Sequence, residues 1–369
     1  MSTLHISRLT LSHFRSHKRT VIETDGRPIA IFGANGAGKT NILEAISMLS
    51  PGRGLRRAKT AELSRAPENL GWKVSADLHS LGHQHQIETA FTGTGTRSIS
   101  IDDKTAPQIA LGRIARIVWL VPVMDRLWVE GAEGRRRFLD RLALSFEPNH
   151  GEHTLAYERA MRERNRMLKD GQRDPAWYKA IESQMATSGA VIEQNRLSTI
   201  TRISAAQQGA ETTFPAADLN LRGPEDSDPI STADDLATAL AESRPRDMHA
   251  GRSLIGPHRD DIHALYTTKG IAAAQCSTGE QKALLVSLVL SNARALAQDI
   301  GAAPIILLDE VAAHLDPDRR AALYNEICAL GAQAWMTGTE SDLFADFGNR
   351  AMALRIDENQ QGSAIEPIT

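Results

Sequence analysis

Gly33 through Thr40 read G-A-N-G-A-G-K-T and match the phosphate-loop spacing G-x-x-x-x-G-K-[ST] at every fixed position. Gly33, Gly36 and Gly38 let the backbone curl so that successive N–H groups, including those of Ala34, Asn35 and Ala37, can face a bound anion. Lys39 is placed for its ammonium to reach β- and γ-phosphates, and the Thr40 hydroxyl can ligate Mg2+. A helix starting after the loop adds its positive end to the same site. A glycine-rich turn that binds nothing is the bland alternative. The apolar strand Ile29–Phe32 before the loop and the amphipathic stretch after it argue against that alternative. The expected cofactors are a nucleoside triphosphate, ATP, and Mg2+.

A second group lies far downstream. The apolar run Ile305–Leu308 leads into Asp309-Glu310, the pattern of a Walker B element. There Asp309 would hold the metal and Glu310 would polarise the attacking water. Acidic pairs after apolar strands are common, and the phosphate loop is what gives this one weight. Between the two motifs, Ser277, Gly279 and Gln281 fit the S-x-G-x-Q core of an ABC-type signature loop ahead of a long helix. Ser277 with Glu280 three residues on also fits a capping box, which explains the helix start alone. His314-Leu315-Asp316 falls where a D-loop belongs, and Thr337-Gly338-Thr339 at the switch position. No glutamine follows the strand Ile117–Leu120, so a Q-loop ligand is not identifiable.

These residues need an α/β frame to bring them together. At 369 residues two domains are expected. Residues 4–11, 19–22, 72–79, 84–91 and 97–101 read as strands, the last three as a small antiparallel sheet, and 114–121 as a buried strand. Residues 133–146 and 154–170 read as helices, and Pro175 opens a third whose Trp177, Ile181, Met185, Ser188, Ile192, Thr199 and Ile203 form a narrow stripe. Either a coiled-coil-like hairpin arm or a packed helical domain accommodates them. Residues 211–240 carry seven acids against Arg222 alone and read as a solvated linker with a short helix after Ser231. The α/β pattern resumes at 250. The expected organisation is therefore an ATPase head of 1–122 and 250–369 with a mostly helical insertion of 123–249. The longest apolar run, Ala283 to Leu290, is interrupted by Ser287 and too short to span a bilayer, and Cys276 and Cys328 make no disulfide framework. No membrane association and a cytoplasmic location are expected. A net charge of −3 confines any nucleic-acid surface to a local patch. The dense basic positions are Arg53, Arg56 and Arg57 after the loop helix, and Arg135, Arg136 and Arg137, which open a stretch with ten Lys/Arg against six acids. No aromatics interleave with them, which points to phosphate contacts without base specificity.

The order phosphate loop, helical insertion, signature, Walker B, D-loop resembles the RecF family among the SMC-like ABC ATPases. The likeness covers nearly the whole chain and extends to LTLSHFRSH, to Gly134–Asp140 (GRRRFLD) and to Gly256–Asp261 (GPHRDD), two elements that ATP chemistry does not require. Glu310 stands where the family often has a second aspartate, and His314 where an acid is usual. The resemblance implies an ABC-type head that dimerises with ATP sandwiched between Lys39 of one copy and the Ser277–Gly279 signature of the other. It further implies clamping of duplex or gapped DNA, weak DNA-stimulated ATP hydrolysis, and RecA loading at gapped or stalled replication sites with RecR and RecO as partners. The rival readings are another SMC-like ABC ATPase and, with neither Q-loop nor switch histidine to support it, the ATP-binding subunit of a transporter.

Overall fold

The computed structural model describes residues 4–359 and 362–368, except for the side chains of His314 and Asn359. In chain order the first elements are β1 (Leu4–Phe14), β2 (His17–Glu23), β3 (Ile29–Phe32), α1 (Lys39–Ser47), β4 (Trp72–Ser80), β5 (His83–Phe91), β6 (Ser98–Ile101) and β7 (Lys104–Thr105). Then come α2 (Leu111–Ile114), β8 (Ile117–Leu120), α3 (Ala132–Phe146), α4 (His150–Lys169), α5 (Pro175–Gln208), β9 (Ala217–Arg222), α6 (Ala233–Ala250), β10 (Asp261–Tyr266) and β11 (Ile271–Ala272). The last are α7 (Thr278–Ile300), β12 (Ile305–Leu308), α8 (Pro317–Ala329), β13 (Ala334–Gly338), β14 (Met352–Asn359) and β15 (Gly362–Ile368).

The chain divides into two compact units. The first comprises Met1–Asp125, Gly209–Pro215 and Ser277–Thr369. It holds two six-stranded sheets, an antiparallel one in the order β2-β1-β4-β5-β6-β7 and a second in the order β15-β14-β3-β13-β12-β8. In the second sheet every pairing from β14 to β8 is parallel, and only β14–β15 is antiparallel. The strands β8, β12 and β13 are buried throughout, as short apolar strands of a covered parallel sheet must be. In the antiparallel sheet β4 alternates, burying Trp72, Val74, Ala76 and Leu78 in one core with Leu9, Leu11 and Ile31. Because β3, β12 and β13 run parallel, their C-terminal ends share one sheet edge. That edge carries Lys39 and Thr40 after β3, Asp309 after β12, and Thr337 within β13. The 23-residue helix α7 is long and apolar enough by composition to cross a membrane, but 72% of its apolar window is buried in the protein, as in a core helix.

The second unit comprises Arg126–Gln208 and Ala216–Cys276. Here α4 and α5 pack along each other, joined through Gly171 in the left-handed region (φ 63°), and α6 packs on α5. Their core holds Tyr157, Met167, Tyr178, Ile181, Met185, Leu236 and Leu240. Of the α5 stripe, Ile181, Met185, Ser188, Ile192, Thr199 and Ile203 are buried while Trp177 is exposed. The unit is thus a hairpin with a third helix covering it and a core of its own. A buried Arg164 ties the three helices, donating to Glu182 on α5 (3.1 Å), to Asp247 (2.6 Å) and Leu240 O (2.8 Å) on α6, and to Ser253 (2.8 Å).

Three sequence expectations change. Residues 211–240 are not a linker: β9 pairs antiparallel with β10, burying Ala217, Leu219 and Leu221 while Asp218 and Asn220 face out, and α6 is an 18-residue helix capped by Thr232. The strand expected from 114 begins at Ile117, because Leu111–Ile114 is helical. Residues 250–276 belong with the second unit rather than with the head, since β10 is held by β9 and α3, while 209–215 belong with the first.

Candidate functional site

The loop from Gly33 to Gly38 runs from the end of β3 to the start of α1. Gly33 cannot be replaced without rearrangement, because a Cβ there would lie 2.0 Å from the carbonyl oxygen of Ile356 on β14. Lys39 begins α1 with its side chain folded over the loop, Nζ donating to Gly33 O (2.7 Å) and Ala34 O (2.9 Å). Burial lowers the Lys39 pKa, and the charges of Glu310 and Asp309 oppose that shift. A cavity of about 340 Å3 opens beside the loop, lined by Asn35, Gly36, Gly38, Lys39, Thr40, Asn41, Arg56 and Glu310.

The carboxylate side of the site is tightly organised. Asp309 Oδ1 accepts from Thr40 Oγ1 at 2.8 Å and from Thr337 Oγ1 at 2.7 Å. Thr337 Oγ1 in turn accepts the Glu310 N–H at 2.9 Å. Glu310 sits at φ 54°, an uncommon conformation for a side chain of its size. A hydroxyl and a carboxylate converging on one point form a hard-oxygen donor pair, and Mg2+ fits it. The side chain expected to matter in the D-loop, His314, lies outside the described residues.

Ser277 and Gly279 are exposed at the start of α7, and among the described residues neither lines the cavity. Ser277 makes the capping box, its Oγ accepting the Glu280 N–H at 3.4 Å while its own N–H donates to Glu280 Oε2 at 2.9 Å. Arg56, expected on a DNA surface, is exposed and also lines the cavity, donating to Asn41 Oδ1 (3.0 Å) and Glu44 Oε2 (3.4 Å). Glu44, fully buried on α1, is also gripped by Arg15 through two bonds of 2.8 and 2.9 Å. Arg53 and Arg57 are exposed on the connection after α1.

A family model described as an AAA domain matches residues 8–173. The DNA replication and repair protein RecF of Mesorhizobium japonicum is 44% identical over 369 residues, covering 97% of each chain. The protein of the same name from Rhizobium etli is 45% identical over 360 residues, covering 94% of this chain and 95% of its own. This chain belongs to the RecF family. A solved structure of the recombination mediator protein RecF with ATP superposes with a TM-score of 0.84 at 22% identity, over 100% of this chain and 98% of the other. An Smc head domain from Pyrococcus furiosus superposes at 0.57 and 18% identity, over 99% and 96%. The fold is accordingly the α/β ABC-type ATPase head shared by RecF and SMC proteins.

In this RecF-family chain the two motifs that ATP chemistry leaves unexplained hold one another, within the second unit. Arg135 forks onto Asp261 (2.8 Å twice) and gives its remaining N–H groups to Leu127 O and Glu130 O. Arg136 is half-buried and donates to Asp260 O at 2.7 Å. Arg196 closes the pair of motifs, forking onto Asp140 (2.8 and 3.1 Å) and donating to Pro257 O at 2.7 Å. Against its burial, Arg196 and His150 hold the Asp140 carboxyl far below the ordinary range. Only Arg137 of the triple is exposed, paired with Glu133 one turn back. The expectation of three arginines facing a phosphate backbone therefore gives way to one. The guanidinium of Arg135 in particular is committed to the fold.

Proposed function

We propose that this chain is an ATP-dependent recombination mediator that dimerises on ATP and clamps duplex or gapped DNA during repair. The full-length likeness to proteins named DNA replication and repair protein RecF supports this, as does a solved RecF with ATP, placed by its description in the RecFOR pathway. The observation that carries the mechanism is the incompleteness of the cavity. The loop, Thr40 and Glu310 line it, whereas Ser277 and Gly279 stand exposed on α7. A second copy can deliver its signature to the nucleotide.

In this reading Lys39 exchanges the carbonyls of Gly33 and Ala34 for β- and γ-phosphate oxygens. Thr40 and Asp309 would hold Mg2+, which supplies charge neutralisation on the phosphates when bound. Thr337 fixes Asp309 and the Glu310 backbone together, so that Glu310 is positioned to polarise the attacking water. Arg56 contributes its charge to the nucleotide rather than to DNA. DNA is met through Arg53, Arg57 and Arg137. RecR and RecO as partners, and RecA loading as the outcome, are proposed on family membership alone.

The test is sedimentation of the protein with and without MgATP, alongside Ser277→Arg. ATP is expected to convert the unchanged protein to dimer, while the variant binds ATP and remains monomeric. Equal dimerisation of both would remove the shared site.

A further inference from the structure

We propose that His17 and Ser363, from segments at opposite ends of the chain, are positioning residues that aim the phosphate-binding amides. The inference rests on reading Gly33–Thr40 as the nucleotide loop. A trans peptide is planar, with C=O and N–H pointing opposite ways. Holding the Ala37 carbonyl therefore aims the Gly38 N–H, and holding the Gly38 carbonyl aims the Lys39 N–H. Each of these two carbonyls has a side-chain donor, which for Gly38 O adds to the Asn41 N–H it accepts at 3.1 Å. Ser363 Oγ on β15 donates to Ala37 O at 2.6 Å, and His17 Nε2 at the start of β2 lies 3.2 Å from Gly38 O.

The hydrogen positions follow from donor counts. Ser363 has one hydroxyl hydrogen, and Ala37 O can only accept. Ser16 Oγ, 2.7 Å from Ser363 Oγ, must then donate to it, and Ser16 accepts from Asn41 Nδ2 at 2.8 Å. Asn41 Oδ1 accepts from Arg56. A directional chain thus runs Arg56, Asn41, Ser16, Ser363, Ala37 O. It starts at a cation in the cavity wall and ends on the far side of the loop, and each bond polarises the next. The second prop works the same way. Thr20 Oγ1, 2.9 Å from His17 Nδ1, donates to it, which leaves the proton of a neutral ring on Nε2, facing Gly38 O. Burial lowers the His17 pKa, in keeping with a neutral ring.

The loop leaves no slack for these props. A Cβ on Gly38 would lie 2.3 Å from Ser363 Oγ and 2.6 Å from Ser16 Oγ. The turn between β1 and β2 is fastened to β15 through Ser363 N–H to Ser16 O at 3.2 Å. A Cβ on Gly362 would meet that same oxygen at 2.3 Å.

The experiment measures equilibrium binding of MgATP and MgADP to the full chain, with thermal unfolding of each nucleotide-free variant. Ser363→Ala and His17→Ala are each expected to weaken both nucleotides about tenfold, by equal factors; Ser363→Ala should melt close to the unchanged protein, whereas His17→Ala, which empties a fully buried position, should melt lower. His17→Gln, whose amide can donate to Gly38 O, is expected to recover most of the loss. Should His17→Ala fail to fold, Ser363→Ala paired with Ser16→Ala decides the matter, the two losses being non-additive because they break one chain. Normal binding by Ser363→Ala, or equal weakness of His17→Ala and His17→Gln, overturns the inference. If neither the unchanged protein nor Lys39→Ala binds MgATP, the nucleotide reading itself falls and takes the inference with it.

Discussion

Arginine in this protein divides into residues that hold the fold and residues that face outward, and neighbours in sequence fall on opposite sides of that line. Arg135 and Asp261 are mostly withdrawn from solvent (side chains 13% and 23% exposed) and joined by a two-bond fork. Arg135→Ala leaves the Asp261 carboxylate half-buried without its partner, at a cost of about 3 kcal/mol, while changing DNA affinity little. Arg137→Ala should do the reverse, leaving unfolding unmoved and lowering the slope of log K against log[salt] by about one. Chemical denaturation and DNA titration at several salt concentrations separate the two, and a changed salt slope for Arg135→Ala would refute the assignment. The density of charge in GRRRFLD is legible in the sequence. Which arginine faces out is not, because that is decided by Asp261, 126 residues downstream. The proposed phosphate loop behaves differently: phosphate binding would use a local backbone shape, so spacing alone points to it. His17 and Ser363 leave no such local trace, since each acts on a carbonyl brought near by the sheets.

At the scale of elements, the second unit keeps its helices and β10 in register through a buried polar core with a titration of its own. Burial and the adjacent Asp260 push the Glu193 carboxyl up to about 9, and Asp260 is raised as well. Two acids in hydrogen-bond contact away from water share one proton, which also supplies the donor that Glu193 Oε2 otherwise lacks. The folded state therefore retains a proton that the unfolded chain releases near pH 4.5, so stability falls as pH rises from there to about 9. His258, pushed down by burial to about 4, acts in the opposite sense, losing stability as pH falls from 6.5. The two effects offset one another between 4.5 and 6.5. Above that, the unit should lose up to about 1.4 kcal/mol per pH unit. Glu193→Gln should flatten this alkaline decline in urea unfolding followed from pH 6.5 to 9, and a slope equal to that of the unchanged protein would rule the shared proton out. The helices of this unit are visible in sequence from Pro175 and the apolar stripe. The strand β9 is not, because its alternation of Ala217, Leu219 and Leu221 spans only six residues, set between acids and prolines that read as a solvated stretch. The end of the insertion was equally hidden, since the strand Asp261–Tyr266 looks like any head strand until its partner β9 is known.

For the whole molecule, the proposal turns on a link between nucleotide and dimer. If ATP completes the contact between one loop and another signature, hydrolysis is the exit from the clamped state. Blocking only the chemical step should then trap the clamp. Glu310 is the residue to change, since its side chain lines the cavity while its N–H bonds Thr337, the hydroxyl that also holds Asp309. Glu310→Gln preserves size and hydrogen bonding but cannot take a proton. ATP affinity should stay within about twofold, phosphate release should fall by at least about 100-fold, and dimer should accumulate on a gapped duplex. With about four phosphates neutralised, the trapped complex should lose affinity with log[salt] at a slope near −4. Phosphate release and sedimentation on labelled DNA report the two halves separately. Undiminished turnover would place the base elsewhere. Slow turnover without accumulated dimer would be the more instructive failure, because it would leave the chemistry of Glu310 standing while cutting the link between hydrolysis and release.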